Sequence, residues 1–377
     1  MNSYRRNQWV GRGGAASLVV VVALAVGCRH RPRSKPRGPT AEVPAPLSEP
    51  ACVRSDDECM ATAQELRDAG RITAAAAAYE LLCQRDVASA CFELGLLRDH
   101  DTEVTDHAQA HAAFDRACQL QMVQGCTAVG VMLLNGRGVA KDPARGRRAL
   151  EAACAEGDSM GCHHLGWALL EGEGGQRDLR GARAALETAC KPSYPEACVD
   201  LGAMLAKGQG GRVDLVRARA FYRQGCDQGL PIACANLGFA LRNGDGGKRD
   251  LVEALSRFLE ACDGGDAEGC RAAGVMHQEA TPPELPAAAA RFGEACDAGL
   301  HDACLDLAAL LRRGGPTLPS DPARARSLLE RACRQGSGAA CFQQAVDLRA
   351  NHPEEKERFR ALMRQACALA HNPACKQ

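Results

Sequence analysis

Cysteines are the most regularly spaced reactive groups in this chain. Of its 21 cysteines, 18 fall into nine pairs with seven residues between the members: Cys83/Cys91, Cys118/Cys126, Cys154/Cys162, Cys190/Cys198, Cys226/Cys234, Cys262/Cys270, Cys296/Cys304, Cys333/Cys341 and Cys367/Cys375. The step between pairs runs from 34 residues (Cys262 to Cys296) to 37 (Cys296 to Cys333). Thiols in this number could bind metal, act as nucleophiles or cross-link. Structural zinc sites use C-x2-4-C spacing and four ligands, often including histidine. A seven-residue gap and ten scattered histidines do not supply that, so no metal and no cofactor are expected. A nucleophile needs an unpaired thiol, yet from Cys83 onward every cysteine has a partner by spacing. Cross-linking is the chemistry that remains.

Other constellations are sparse. Acyl transfer of the serine β-lactamase kind needs S-x-x-K, S-D-N and K-T-G, and none of these occurs. His163 and His164 are adjacent, but neighbours on a helix point about 100° apart and cannot face one ion together. Glycine-rich turns such as GEGGQRDL (172–179) lack the lysine and preceding strand of a phosphate-binding loop. No catalytic residues are assigned.

The elements that carry the cysteines follow from periodicity. Four residues before each first cysteine stands a large apolar side chain: Tyr79, Phe114, Leu150, Leu186, Tyr222, Phe258, Phe292, Leu329 or Met363. Eight before it the residue is nearly always small, as at Ala75, Ala110, Gly146 and Ala182. Positions i, i+4 and i+8 form one helical stripe, which is expected to put the first cysteine of each pair on the packed face. After the second cysteine the pattern is C-x2-L-G-x2-L, as at Cys162-Leu165-Gly166-Leu169, again helical, with a glycine where a neighbouring backbone must come close. Between the cysteines a helix stops: Gly157, Gly229, Gly265, Gly299 and Gly336 lie three residues past the first cysteine, where a left-handed cap belongs. Asp142, Asp178, Asp214, Asp250 and Asp321 fit as N-caps of the next helix, and Pro143 and Pro322 fit its first turn.

On one continuous helix, residues eight apart would be ~12 Å apart, whereas a disulfide needs Cα atoms within about 7 Å. A glycine turn that folds two helices antiparallel removes the conflict. The nine pairs are therefore predicted to be local disulfides, each adding about 2–3 kcal/mol by loop-closure entropy. Cys52 and Cys59, with six intervening residues, read as a shortened copy of the staple. The expected fold is all-α, a right-handed α/α superhelical solenoid of about nine helix pairs. The repeats lie near 51–83, 84–118, 119–154, 155–190, 191–226, 227–262, 263–296, 297–333 and 334–377.

The compartment follows from the same cysteines, because disulfides persist where the surroundings are oxidising. Residues 1–28 read as a lipoprotein-type signal. Arg5, Arg6 and Arg12 precede the apolar stretch Ala15–Val26, too short to span a bilayer, and Ala25-Val26-Gly27-Cys28 resembles a lipobox with Cys28 lipidated. The alternative is plain secretion. Residues 29–50, rich in proline and arginine, read as a tether, leaving 51–377 to the array. The expected location is the bacterial envelope, periplasmic or anchored to the outer membrane through the lipid. Formal net charge is zero and aromatics make up 4% of the chain, which gives nucleic-acid binding no support.

The motif recurs cleanly in LLNGRGVAKDPARGRRALEAAC (133–154), LLEGEGGQRDLRGARAALETAC (169–190) and MLAKGQGGRVDLVRARAFYRQGC (204–226). It resembles the Sel1-like repeat, a subclass of tetratricopeptide-like solenoids. A cysteine pair in every repeat makes the chain most similar to the cysteine-rich secreted bacterial members. That resemblance implies a protein- or peptide-binding scaffold whose first helices line the concave face. Some such members are classed as β-lactamases or penicillin-binding proteins, so it also implies an alternative: β-lactam binding or hydrolysis on peptidoglycan-like substrates. Exposed positions of those first helices give the candidate binding residues His163, His164, Trp167, Asp200, Asn236 and Phe239, with Asp306 beside them. Trp167 and Phe239 stand out, because buried aromatic anchors dominate many interfaces. The repeat at 268–297 departs from the pattern, with His277 at a leucine position and the turn QEATPPELP, and a local bend or loosened groove is expected there.

Overall fold

The structure is a computed structural model. It describes residues 55–377 apart from 102, 192–193, 370–374 and 376–377. The chain divides into units 1–46 and 47–377, and every described residue belongs to the second. The expected signal segment, Cys28, the tether and Cys52 lie outside the described residues.

Eighteen α-helices make up the described unit, and no strand appears among the described residues. In chain order they are α1 (Asp56–Asp68), α2 (Ile72–Gln84), α3 (Ala88–His100), α4 (His107–Gln119), α5 (Val123–Asn135), α6 (Pro143–Ala155), α7 (Ser159–Glu171), α8 (Leu179–Ala189), α9 (Pro195–Lys207), α10 (Leu215–Asp227), α11 (Pro231–Asn243), α12 (Leu251–Asp263), α13 (Ala267–Glu279), α14 (Leu285–Asp297), α15 (His301–Arg313), α16 (Pro322–Arg334), α17 (Gly338–Asn351) and α18 (Lys356–Ala368). Odd-numbered helices are the A members and even-numbered helices the B members of nine pairs. Sixteen of the eighteen have 13 residues, because start and stop signals recur at fixed places. At B-helix starts Asp142, Asp178, Asp214, Asp250 and Asp321 each accept a hydrogen bond from the backbone N–H three residues on. The A helices α5, α7, α9 and α11 end on glycines in the left-handed region.

All nine expected disulfides are present: Cys83–Cys91, Cys118–Cys126, Cys154–Cys162, Cys190–Cys198, Cys226–Cys234, Cys262–Cys270, Cys296–Cys304, Cys333–Cys341 and Cys367–Cys375. Each joins the end of a B helix to the next A helix or, at Cys375, to the chain beyond α18, with Cα separations of 4.4–4.9 Å. Cys59 is also disulfide-bonded.

Burial within the pairs meets one expectation in four of nine cases, at Cys226, Cys262, Cys296 and Cys333, and departs from it in the other five. The first members Cys83, Cys118, Cys154, Cys190 and Cys367 are only half-buried, whereas the second members Cys91, Cys162, Cys198, Cys304 and Cys341 are fully buried. Cys126 is half-buried like its partner, and in the Cys226, Cys262, Cys296 and Cys333 pairs both members are buried. The reason is helical drift. Each step of four residues turns about 40° past a full circle, so a stripe has rotated by about 80° at i+8 and the first cysteine sits at its edge. The second cysteine of the first eight pairs stands in the first turns of an A helix. There the Sγ atoms of Cys91, Cys126, Cys162 and Cys304 lie 3.4–3.8 Å from the carbonyl oxygen of their own partners. A disulfide sulfur carries no proton, so these are packing contacts.

The turn glycines take φ of +79 to +98° at Gly157, Gly229, Gly265, Gly299 and Gly336. In the first two such turns Asp86 and Gln121 hold the same place at φ +64°, a conformation side chains resist.

Consecutive helices pack throughout, and A helices also meet across repeats, α5 against α7 and α11 against α13. The glycine of L-G-x2-L admits a side chain as well as the expected backbone: a carbonyl of the following helix would lie 3.1 Å from a Cβ at Gly130 and 3.3 Å from one at Gly166 or Gly202. A Cβ at Gly238 would press on the Phe258 ring, and one at Gly166 on Leu186. Repeats also interlock through the A-to-B loop. Gly174, at φ +74°, lies against the Pro143 carbonyl of the preceding repeat. Arg147 of that repeat donates to the Gln176 carbonyl at 3.1 Å.

The apolar core is interrupted at α13. One buried cluster ends with Ala272 and Ala273, and the next begins with Cys262, Cys270 and Leu285. Alanine and His277 stand there where other repeats bring leucines. The His277 Nδ1 instead pairs with Glu284 Oε2 at 2.6 Å across the altered turn.

Candidate functional site

Counting from the second cysteine of each pair places the candidates in register. Trp167 and Phe239 are both five residues on, Asp200, Asn236 and Asp306 two residues on, and His163 and Arg271 one residue on. A-helix residues three, four and seven past the cysteine turn into the core, as Leu201, Gly202 and Leu205 do in α9. Those two and five past it keep partial exposure, as Asp200 and Ala203 do. The candidates therefore share a face of the A helices, but they form two sites.

In the first site one carboxylate gathers two repeats. Asp200 Oδ2 on α9 lies 2.8 Å from His163 Nε2 and accepts from Trp167 Nε1 at 2.9 Å, both from α7. The other ring nitrogen, Nδ1, lies 2.9 Å from the Tyr194 hydroxyl. The Tyr194 ring meets the imidazole edge-on at 5.2 Å. His163 is 2% exposed, so it is a core residue linking repeats and not the groove-lining contact the sequence suggests. Both of its ring nitrogens are engaged, one by Asp200 and one by Tyr194. Burial, followed by the charges of Glu196, Asp200 and Asp158, pushes the Tyr194 phenol well above its usual range, so it stays protonated. His164 is held neutral: burial, then the neighbouring His163, lowers it from 6.5 to about 3. What the network presents outward is the partly exposed Trp167 indole, its orientation fixed by Asp200.

Arg271 and Asp306 occupy the repeat positions of His163 and Asp200 and pair at 2.6 Å between α13 and α15. Sequence reasoning finds Asp306 but misses Arg271 and Tyr194. Both carry signals. Arg271 is a charge one residue past a buried cysteine, and Tyr194 stands in KPSYPE, the turn that lacks the usual glycine.

The second site surrounds Phe239. A cavity of about 150 Å³ lies between α9, α10 and α11, lined by Ala206, Leu215, Ala218, Tyr222 and Phe239, with Arg219, Asn236 and Asp245 among its polar lining. Phe239 meets Phe258 edge-on at 4.8 Å, and the Arg242 guanidinium sits over its ring at 5.4 Å. Asn236 thus lines this cavity and takes no part in the His163 network.

Three groups of possible metal-ligating atoms occur among the described residues: Cys226, Cys234 and Glu260; Cys262, Cys270 and Glu294; and the surface set His352, Glu354 and Glu355. The sulfurs of the first two are committed to disulfides. No described helix is long and apolar enough to cross a membrane.

A sequence model of the Sel1 repeat matches residues 123–158, 159–190, 195–230, 231–266 and 301–337, passing over the divergent repeat around α13. The chain belongs to the Sel1-like repeat family. Among solved structures, a protective antigen of uropathogenic Escherichia coli displaying an SLR fold superposes with a TM-score of 0.66. It is 21% identical, and the match covers 83% of this chain and 69% of that one. A Sel1 repeat protein of Oxalobacter formigenes gives a TM-score of 0.57 at 19% identity, covering 64% of this chain and 96% of that one. At such identities the likeness concerns the fold. No curated protein matches the sequence. The array is thus a Sel1-like repeat scaffold, of a class that generally binds protein partners, and its disulfides suit an oxidising compartment.

Proposed function

We propose that this Sel1-like protein is an exported scaffold, tethered to the bacterial envelope through Cys28, that holds a protein or peptide partner on the exposed face of its A helices. The observation that carries this reading is the pair Trp167 and Phe239. In a chain with so few aromatics, both occupy the same repeat position, both stay partly exposed, and each is oriented by a polar neighbour, Asp200 or Arg242. Rigid aromatics of this kind make effective anchors because little rotamer entropy is lost on binding. Repeats bound only to their neighbours offer a long surface, and the staples keep it from fraying.

The test is affinity capture from envelope extract with oxidised protein, comparing wild type with Trp167→Ala and Phe239→Ala. Loss of a captured protein, with helicity by circular dichroism unchanged, supports the assignment; equal capture removes it. Mass spectrometry of the N-terminal peptide reports the anchor separately, and an unlipidated Cys28 in membrane fractions would sink that part alone.

A further inference from the structure

The three most exposed large apolar side chains of the described array stand on one rim. They are Val252 at 84%, Val216 at 68% and Val213 at 57% exposure. Val216 and Val252 are the second residues of α10 and α12, and Val213 lies in the turn before α10. Valine is a middling helix former, and an exposed first turn has no need of it. Cations alternate with these side chains. Arg180, Arg212, Lys248 and Arg249 are exposed, and among the described residues none has an ion-pair partner. The interlock of repeats fixes their order: a Cβ at Gly210 would meet the backbone of Leu179 and Arg180, and one at Gly246 that of Leu215 and Val216. The turn carrying Arg212 and Val213 therefore sits on the start of α8, and the turn carrying Lys248 and Arg249 on the start of α10. Between Asp178 and Glu253 the acids of these turns and helix starts are engaged. Asp178, Asp214 and Asp250 cap helices, Asp245 accepts from Asn243 at 3.3 Å, and Glu253 pairs with Arg223 at 2.9 Å. The three helix N-termini add partial positive charge to the same rim.

Free cations interleaved with exposed aliphatic side chains complement an anionic bilayer surface, where phosphates face water and acyl chains begin just beneath. We propose that the rim formed by the starts of α8, α10 and α12 and the turns between them rests on a membrane of anionic phospholipid. Arg180, Arg212, Lys248 and Arg249 meet the phosphates, and Val213, Val216 and Val252 insert among the upper acyl carbons. A nucleic acid fits less well, because these residues include no ring on which a base stacks. A soluble acidic partner matches the cations alone and leaves the exposed valines without a role. The rim is built from B-helix starts, so it is distinct from the A-helix face that carries Trp167 and Phe239. The proposal rests on the exported, membrane-tethered reading and adds a lipid contact that does not depend on Cys28.

Vesicle sedimentation tests it on the oxidised full chain carrying Cys28→Ser, which removes the proposed lipidation site. Partition onto phosphatidylcholine vesicles containing phosphatidylglycerol is compared with partition onto phosphatidylcholine alone, and the mixed vesicles should bind more protein. A cation at an anionic surface is worth about fivefold. Arg180→Gln, Arg212→Gln, Lys248→Gln and Arg249→Gln together should therefore lower partition onto mixed vesicles more than about a hundredfold. Val213→Ser, Val216→Ser and Val252→Ser together should lower it about tenfold. Removing four exposed cations elsewhere, with Arg334→Gln, Arg358→Gln, Arg360→Gln and Arg364→Gln, should leave it nearly unchanged. Circular dichroism checks that each variant keeps its helices. Equal partition onto the two kinds of vesicle overturns the proposal. So does a rim-cation variant that binds like its parent, an equal loss in the variant altered elsewhere, or binding that vanishes when Arg29, Arg31, Arg33, Lys35 and Arg37 are changed to glutamine. A valine variant that binds like its parent also overturns it, in favour of a soluble polyanion. Membrane retention of the wild type with no vesicle binding by Cys28→Ser would keep the anchored scaffold and discard the rim.

Discussion

Replacing Asp200 with alanine should loosen the joint between the fourth and fifth helix pairs and release Trp167. The carboxylate receives two donors on one oxygen, from His163 at 2.8 Å and Trp167 at 2.9 Å. Its removal takes the carboxylate from an imidazole that is 2% exposed and from an indole N–H that is partly exposed. An unsatisfied buried donor costs about 1–3 kcal/mol. The indole can recruit water and the Asp200 side chain is itself 23% exposed, so the sum is reduced to about 2–3 kcal/mol. Asp200→Asn keeps an acceptor for both donors and loses only the charge, which should cost about 1 kcal/mol. The chain has two tryptophans, so in a Trp9→Phe background emission comes from Trp167 alone. Urea titrations followed by that emission read the local joint, which suits a solenoid whose repeats need not unfold together. The Asp200→Ala midpoint should fall well below the Asp200→Asn midpoint, and the native emission maximum should shift. Equal midpoints, or an unmoved spectrum in Asp200→Ala, would refute the reasoning.

Three further outcomes are expected. Tyr79 is fully buried and, among the described residues, its hydroxyl has no partner, at a position where other repeats carry phenylalanine; Tyr79→Phe should leave stability unchanged or raise it by about 1 kcal/mol in thermal unfolding. Gly157→Ala, at φ +84° in open space, should cost about 1–2 kcal/mol. Gly174→Ala, which also meets the Pro143 carbonyl, should cost clearly more, and equal losses would refute the interlock. His164, lowered from 6.5 to about 3, takes up a proton more readily when unfolded. Stability should therefore fall as pH drops through 6.5 toward 3, and His164→Asn should flatten that part of a pH–denaturation profile.

Much of the fold can be read from the chain because its determinants are local. A disulfide eight residues long, an aspartate capping an N–H three residues on, and a stripe at i, i+4 and i+8 each act within one or two turns of chain. The 36-residue recurrence then multiplies them into an array. Two details inside a repeat escape this logic, and both depend on how helices sit against each other. The L-G-x2-L glycine reads as admitting a backbone, and it admits besides the large side chain four residues before the next first cysteine. The staple reads as anchored in the core by its first cysteine, yet among the nine pairs Cys91, Cys162, Cys198, Cys304 and Cys341, all second members, are the ones at zero exposure. Spacing gives the bond but not which end of it the neighbouring helices enclose.

The candidate site was legible as a face and illegible as contacts. Sequence places His163, Trp167, Asp200, Asn236 and Phe239 on exposed A-helix positions. Only the stacking of repeats decides that His163 and Trp167 of α7 meet Asp200 of α9, which buries His163, recruits Tyr194 and aims Trp167. The same offset brings Arg271 to Asp306. Phe239, at the position of Trp167, instead opens a cavity, because its neighbours at that level are Ala206 and Ala218, small enough to leave space. Within a repeat the sequence determines helix, cap and cross-link, since each is an interaction between near neighbours. Between repeats the rotation and offset of one pair on the next determine which side chains meet, and that depends on packing summed over whole helices.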